Sequence, residues 1–196
     1  AAFKELVLTS FPARRKMKVF KTSGTTSGSP GVHYFETLKL YEESIVPAFR
    51  SHLLGDGAKL AYYFLISSPN DAPDSSLSHM MGVVNRRFAR RRRRSYLNKG
   101  AVRSDALSAD LALEKKPVMI LATAFSLKVF LDSLRGRSLP LKRGSRLMET
   151  GGFKGRTGEI TKASLYRLCE KRLGIRASSC VSEYGMTELS GQYYSR

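Results

Sequence analysis

Three short segments of the chain are rich in residue types that hold phosphates, flat rings and hard cations. The first, residues 21–31 (KTSGTTSGSPG), crowds Ser/Thr hydroxyls and glycines into one span. Glycine lets backbone amides approach an anion closely, and hydroxyls add donors that follow moving phosphate oxygens. The Lys-Ser/Thr ending of a Walker loop is missing, and a flexible Gly/Ser linker has the same composition. The second, residues 148–156 (METGGFKGR), carries paired Gly151 and Gly152, which permit a flat ligand to lie against the backbone; a tight turn is the plainer alternative. The third, residues 182–190 (SEYGMTELS), offers Tyr184 to stack on a base, Thr187 to bond a phosphate and Glu188 to hold a hard cation through oxygen. An ordinary surface loop is built from the same residues.

The elements that must position these segments are legible as alternating apolar runs and helical patterns. Residues 59–67 (KLAYYFLIS), bounded by Gly57 and Pro69, predict a buried strand, and 117–123 (PVMILAT) predict a second. Shorter strands are expected at 145–149 and 178–182, each running into a glycine-containing segment. Phe35, Leu38, Tyr41, Ile45 and Phe49 recur at helical spacing, with Pro47 expected to kink or shorten that helix. Ser104 is placed to cap a helix carrying Leu107, Leu111 and Leu113. A helix over 125–134 stops at Gly136, and Thr161 caps one that buries Leu165, Leu168, Cys169 and Leu173 before Gly174. This alternation predicts an α/β fold, an open and largely parallel sheet with flanking helices. In such sheets ligands bind beyond the carboxyl ends of the strands, where the glycine-rich segments fall.

Composition narrows the function classes. There are 196 residues, 42% of them hydrophobic, with no apolar run of about 18 residues, so no membrane span is expected. Two cysteines, Cys169 and Cys180, make neither a disulfide framework nor a zinc cage, and a reducing cytoplasm is the expected compartment. The net charge of +18 is concentrated between Ser75 and Ser104, where no acid occurs and residues 90–94 are all arginine. Such a block attracts polyanions. No paired Cys/His ligands, RNA-stacking motif or helix-turn-helix pattern accompanies it, so a solvated helix end followed by a loop is the preferred reading and nucleic acid is not an expected partner.

Taken together, the segments carry a specific resemblance. TSGTTSGSPG looks like the phosphate loop of the adenylate-forming superfamily, and YGMTE like its adenine-and-magnesium motif. More narrowly, SSLSHMMGVV, ATAF, METGGFKGR and VSEYGMTELSGQYY resemble the acyl-protein synthetases, LuxE-like fatty-acid/protein ligases, over residues 20–194. The resemblance implies that a carboxylate, a fatty acid in the first instance, attacks the α-phosphorus of ATP. The acyl-adenylate formed would then pass its acyl group to an acceptor protein thiol, on a reductase or carrier partner.

By match, Thr22, Ser23, Gly24, Thr25, Thr26 and Gly28 would cover the β- and γ-phosphates. Gly151, Gly152 and Phe153 would border adenine and the acyl pocket. Tyr184 would stack on adenine, Gly185 and Met186 shape the pocket floor, Thr187 touch the α-phosphate and Glu188 bind Mg²⁺. His79 would face the carboxylate, with a helix-face or capping histidine as its alternative. Departures from the family pattern are Ser27 inside the loop, Pro30-Gly31 where the loop lysine is expected, and the arginine run. Residues 1–196 are expected to form part of the large N-terminal domain of such an enzyme. An N-terminal portion and the small C-terminal domain, with its catalytic lysine and an acyl-accepting cysteine, are expected to lie outside them, so the chain alone is expected to turn over slowly. The competing readings are a coenzyme A ligase of the phenylacetate type, an inactive relative, and a nucleic-acid-binding protein.

Overall fold

The computed structural model describes residues 7, 9–12, 17–21, 31–89, 94–153, 160–186 and 191–195. Its strands are β1 (Lys18–Lys21), β2 (Val32–Phe35), β3 (Ala61–Leu65), β4 (Arg94–Ser95), β5 (Leu97–Asn98), β6 (Ala101–Val102), β7 (Val118–Thr123), β8 (Arg146–Thr150), β9 (Cys180–Met186) and β10 (Gly191–Ser195). Its α-helices are α1 (Lys39–Leu53), α2 (Ser76–Arg87), α3 (Ser104–Leu113), α4 (Ala124–Ser133) and α5 (Lys162–Leu173). Six strands form the main sheet in the order β10-β9-β8-β7-β3-β4. All neighbours are parallel except the β9–β10 pair at one edge. The fold is therefore the expected α/β one, a largely parallel sheet with flanking helices.

Strand alternation divides the core in two. Tyr63, Leu65, Val118, Ile120, Leu147 and Cys180 face α3, α4 and α5, where Leu107, Leu127, Phe130, Leu165 and Cys169 complete one cluster. Their neighbours Tyr62, Phe64, Met119, Leu121, Met148 and Val181 face α1 and α2, packing with Ile45, Phe49, Met80 and Val84. Helices on both faces explain why β3 and β7 read as continuous apolar runs: neither face of those strands meets water.

Several local expectations need correction. Phe35 belongs to β2, not to the helix, which begins at Lys39. That helix is not shortened at Pro47 but continues to Leu53. Pro47 stands on the exposed side, where water can bond the Glu43 carbonyl that has lost its amide partner, while Ile45, Phe49 and Leu53 anchor the turns around it. Ser104 is the first helical residue; the cap is Arg103, with no side-chain cap bond. Leu113 is exposed, because two residues beyond Leu111 the helix has turned off its buried face. After α2, the segment expected as a loop yields Arg94–Ser95, paired in parallel with β3, and residues 90–93 lie outside those described. The β5–β6 hairpin, turning through Lys99 and Gly100 at positive φ, was not expected at all.

Candidate functional site

The candidate site is at the carboxyl ends of the parallel strands. There β7 gives way to α4 through a capping box: Ser126 N donates to Thr123 Oγ1 at 3.0 Å, and Thr123 N to Ser126 Oγ at 3.1 Å. Ser126 Oγ also donates to the Leu65 carbonyl at 2.7 Å, tying the helix start to the end of β3. One strand over, β8 ends at Thr150 and turns through Gly151, whose φ of 72° favours glycine, and Gly152. Among the described residues a Cβ at either glycine would meet nothing within 4 Å, so there the turn presents open backbone. Phe153 folds back beneath it into the α3–α5 core.

The third segment differs from its expected form. Its described part, residues 182–186, does not follow the strand as a loop: β9 runs on through Met186, and β10 pairs with it antiparallel, with Tyr193 opposite Tyr184. Extended backbone throws alternate side chains to opposite sides, so Glu183 is buried while Tyr184 is 60% exposed. Thr150 and Glu183 are register partners, which brings the open Gly151–Gly152 turn beside the exposed Tyr184 ring.

The anchors of the first segment reach the same edge. β1 and β2 pair with Lys21 opposite Val32, so the described residues on either side of 22–30 lie together. Lys21 N donates to the Asp74 carbonyl at 2.8 Å and its Nζ to Asp74 Oδ2 at 2.7 Å, beside Ser75, the N-cap of α2. Phe20 is buried against Tyr41 and His79, with ring centroids 5.7 and 5.5 Å away. His79 Nε2 lies 2.7 Å from Glu42 Oε1, so the ring sits in a polar and aromatic seam between the first turns of α1 and α2, engaged by a carboxylate of the chain itself.

Two buried carboxyls flank the edge, one on each side of the sheet. Glu183 bonds Thr150 Oγ1 through Oε2 at 2.5 Å. Burial pushes its pKa upward, the Thr150 bond opposes this, and Glu149 adds to the rise. Glu149, on the other face, accepts from Tyr166 Oη at 3.0 Å and lies 3.8 Å from Lys162 Nζ, which also donates to Ser182 Oγ at 2.7 Å. Lys162 was not singled out from sequence, and Glu149, Thr150, Ser182 and Glu183 were quoted only as members of motifs. A charged residue inside a strand, one or two positions before glycines, is the signal that could have found the two glutamates.

Of the residues predicted for the site, Gly151, Gly152, Tyr184 and Gly185 come together, with Phe153 supporting them. Thr22, Ser23, Gly24, Thr25, Thr26, Gly28, Thr187 and Glu188 lie outside the described residues, as does the side chain of Met186. Among the described residues no group of three or more His, Cys, Asp or Glu side chains could hold a metal. No helix of the described residues is long and apolar enough to cross a membrane.

This fold recurs in known structures. The chain has the fold of an adenylate-forming enzyme's N-terminal domain. It superposes on ATP-bound MatB from Rhodopseudomonas palustris with a TM-score of 0.56 and 15% identity, covering 90% of this chain and 30% of that one. The inhibitor-bound N-terminal domain of FACL13 from Mycobacterium tuberculosis gives a TM-score of 0.56 at 15% identity over 92% of this chain and 40% of that one. A variant of coronafacic acid ligase from Pectobacterium brasiliense gives 0.53 at 13%, over 84% and 29%. The chain thus spans less than half the length of the chains it matches. No family model and no curated protein sequence matches it.

Proposed function

We propose that the chain is the nucleotide-binding part of a ligase that uses ATP to convert a carboxylate to an acyl-adenylate. One observation carries this reading: the Thr150–Glu183 register pair sets a side-chain-free turn beside an exposed tyrosine ring, in a fold shared with an ATP-bound protein. A purine needs a flat face to stack on and bare backbone at its edge, and Tyr184 with Gly151–Gly152 supplies both. In-line attack on the α-phosphorus then requires two anions to be held together while charge spreads onto the phosphate oxygens. The hydroxyls and amides of residues 22–28 would serve the β- and γ-phosphates and Thr187 the α-phosphate. Glu188 would hold Mg²⁺, which neutralises phosphate charge when bound. His79, beside Phe20 at the base of the first segment, would face the carboxylate.

For the acceptor, a protein thiol is the finer reading taken from METGGFKGR, and acyl-protein synthetase is the corresponding activity. The solved structures it resembles support a coenzyme A ligase more strongly than a protein ligase. Titrating ATP into the protein and its Tyr184→Ala and Gly151→Val variants tests the nucleotide site. Loss of about tenfold or more in affinity is expected for each, in line with the ~1–3 kcal/mol a base–aromatic stack contributes. Unchanged affinity in both variants would reject the site. Following a labelled fatty acid in the presence of ATP, Mg²⁺ and coenzyme A, onto protein or onto coenzyme A, decides the acceptor.

A further inference from the structure

We propose that Glu183 is a positioning residue whose buried carboxyl locks the Gly151–Gly152 turn and the Tyr184–Gly185 strand end into one rigid unit. Its purpose rests on the nucleotide reading above; its geometry does not. Thr150 and Glu183 form the last register pair between β8 and β9; past it β9 stays paired with β10 on its other side, and no ladder ties it to the Gly151–Gly152 turn. There the side chains take over. Thr150 Oγ1 and Glu183 Oε2 are 2.5 Å apart, and the other carboxyl oxygen lies over Gly185, where a Cβ would stand 2.5 Å from Oε1. A single carboxyl therefore spans from the residue before Gly151 to the residue after Tyr184. A side chain at position 185 would displace that oxygen.

One register step earlier, the opposite face carries a second tie. Glu149 and Ser182 are partners, and Lys162 reaches both while Tyr166 bonds Glu149, so α5 is fastened to the same two strand ends. A buried carboxyl costs free energy that an apolar side chain would not. What the carboxyl adds is direction: one bonded oxygen ties the end of β8 to β9 at a set separation, as a binding surface assembled from two segments requires.

The test measures backbone order parameters and ATP affinity in the wild type, Glu183→Ala, Glu183→Gln and Thr150→Val. Wild-type values near about 0.85 are expected at Gly151, Gly152, Tyr184 and Gly185, falling toward about 0.6 in Glu183→Ala, with β7 unaffected. Glu183→Gln should restore rigidity, because its amide oxygen still accepts from Thr150. ATP affinity should fall about tenfold in the alanine variant and recover in the glutamine variant. Order parameters unchanged by Glu183→Ala, or falling in only one segment, would overturn the proposal, as would a wild type already mobile at both. If Glu183→Ala does not fold, Thr150→Val, which removes one hydroxyl, answers the same question with the same outcomes. A wild type that binds no ATP would reject the nucleotide reading, while the order parameters still decide whether Glu183 couples the two segments.

Discussion

Gly82 of α2 lies against Pro69 in the turn after β3, so close that a Cβ on Gly82 would stand 2.8 Å from Pro69 Cγ. Glycine inside a helix ordinarily costs about 1 kcal/mol relative to alanine. Here the neighbouring ring is rigid and cannot give way, and overpacking of this kind costs ~1–3 kcal/mol. Gly82→Ala is therefore expected to lower the urea midpoint despite its better helix propensity. A raised midpoint would mean that α2 can move off Pro69 freely.

Arg146 fastens the end of α1 to the start of β8. It donates to the Leu53 carbonyl at 2.6 Å and to both oxygens of Asp56 at 3.1 and 2.7 Å. Arg146→Ala is expected to cost ~1–2 kcal/mol, mostly from the unpaired helix carbonyl, because the Asp56 end of the pair is exposed and screened by solvent. The Arg146 bond, with the Ala58 amide second, holds Asp56 down to about 2. A lowered carboxylate stabilises the fold above its unfolded value and loses that contribution as pH falls toward 2. The stability gap between wild type and Asp56→Asn should therefore close between about pH 4 and pH 2, as followed by denaturant unfolding.

How much of this was readable beforehand depended on how locally each feature is determined. The bounds of α5 were legible because the signals are its own: Thr161 accepts from Ser164 N, and Gly174 ends the helix at a φ of 70°; on its buried face Tyr166 is enclosed, while Leu168, expected there, is only partly buried. β3 and β7 were legible because strands covered on both faces leave unbroken apolar runs. The path of residues 182–186 was not, since nothing in SEYGM separates an exposed loop from a strand; pairing with β10 decides it. Phe35 misled because its spacing from Leu38 fits a helix, while its packing against Phe20 across the β1–β2 pair places it in a strand. At the site, residue types pointed to Gly151, Gly152 and Tyr184, which the β8–β9 register places next to one another. The Glu183–Thr150 bond was hidden because it depends on strand register, which sequence spacing does not supply.

Neither cysteine can serve as an acyl carrier in the folded chain. Cys169 and Cys180 are buried, and burial pushes both thiols upward, Cys180 to about 12, with Glu149 and Glu170 adding to the effect on Cys180. The thiolate is the nucleophile, so a raised value together with lack of access removes reactivity twice over. Iodoacetamide at about pH 8 is expected to leave both unmodified in the native protein and to alkylate both in denaturant. Rapid native labelling of either would show that the α5 side of the core opens readily.

The buried Glu183 carboxyl predicts a pH dependence of the opposite sign to that of Asp56. Its pKa is raised above 4.5, first by burial and then by Glu149, against the Thr150 bond. In the unfolded chain the group ionises freely above 4.5, while in the fold the charged form is disfavoured. Its contribution to stability is thus fully present below the unfolded value and drains away as pH rises through the folded one. Glutamine cannot ionise and keeps the acceptor for Thr150. Relative to wild type, Glu183→Gln should therefore gain stability steadily as pH is raised from about 4 toward neutrality, read from paired urea unfolding curves. A gap independent of pH would mean that Glu183 is already ionised in the fold at its ordinary value, with the short bond to Thr150 sufficient to offset its burial.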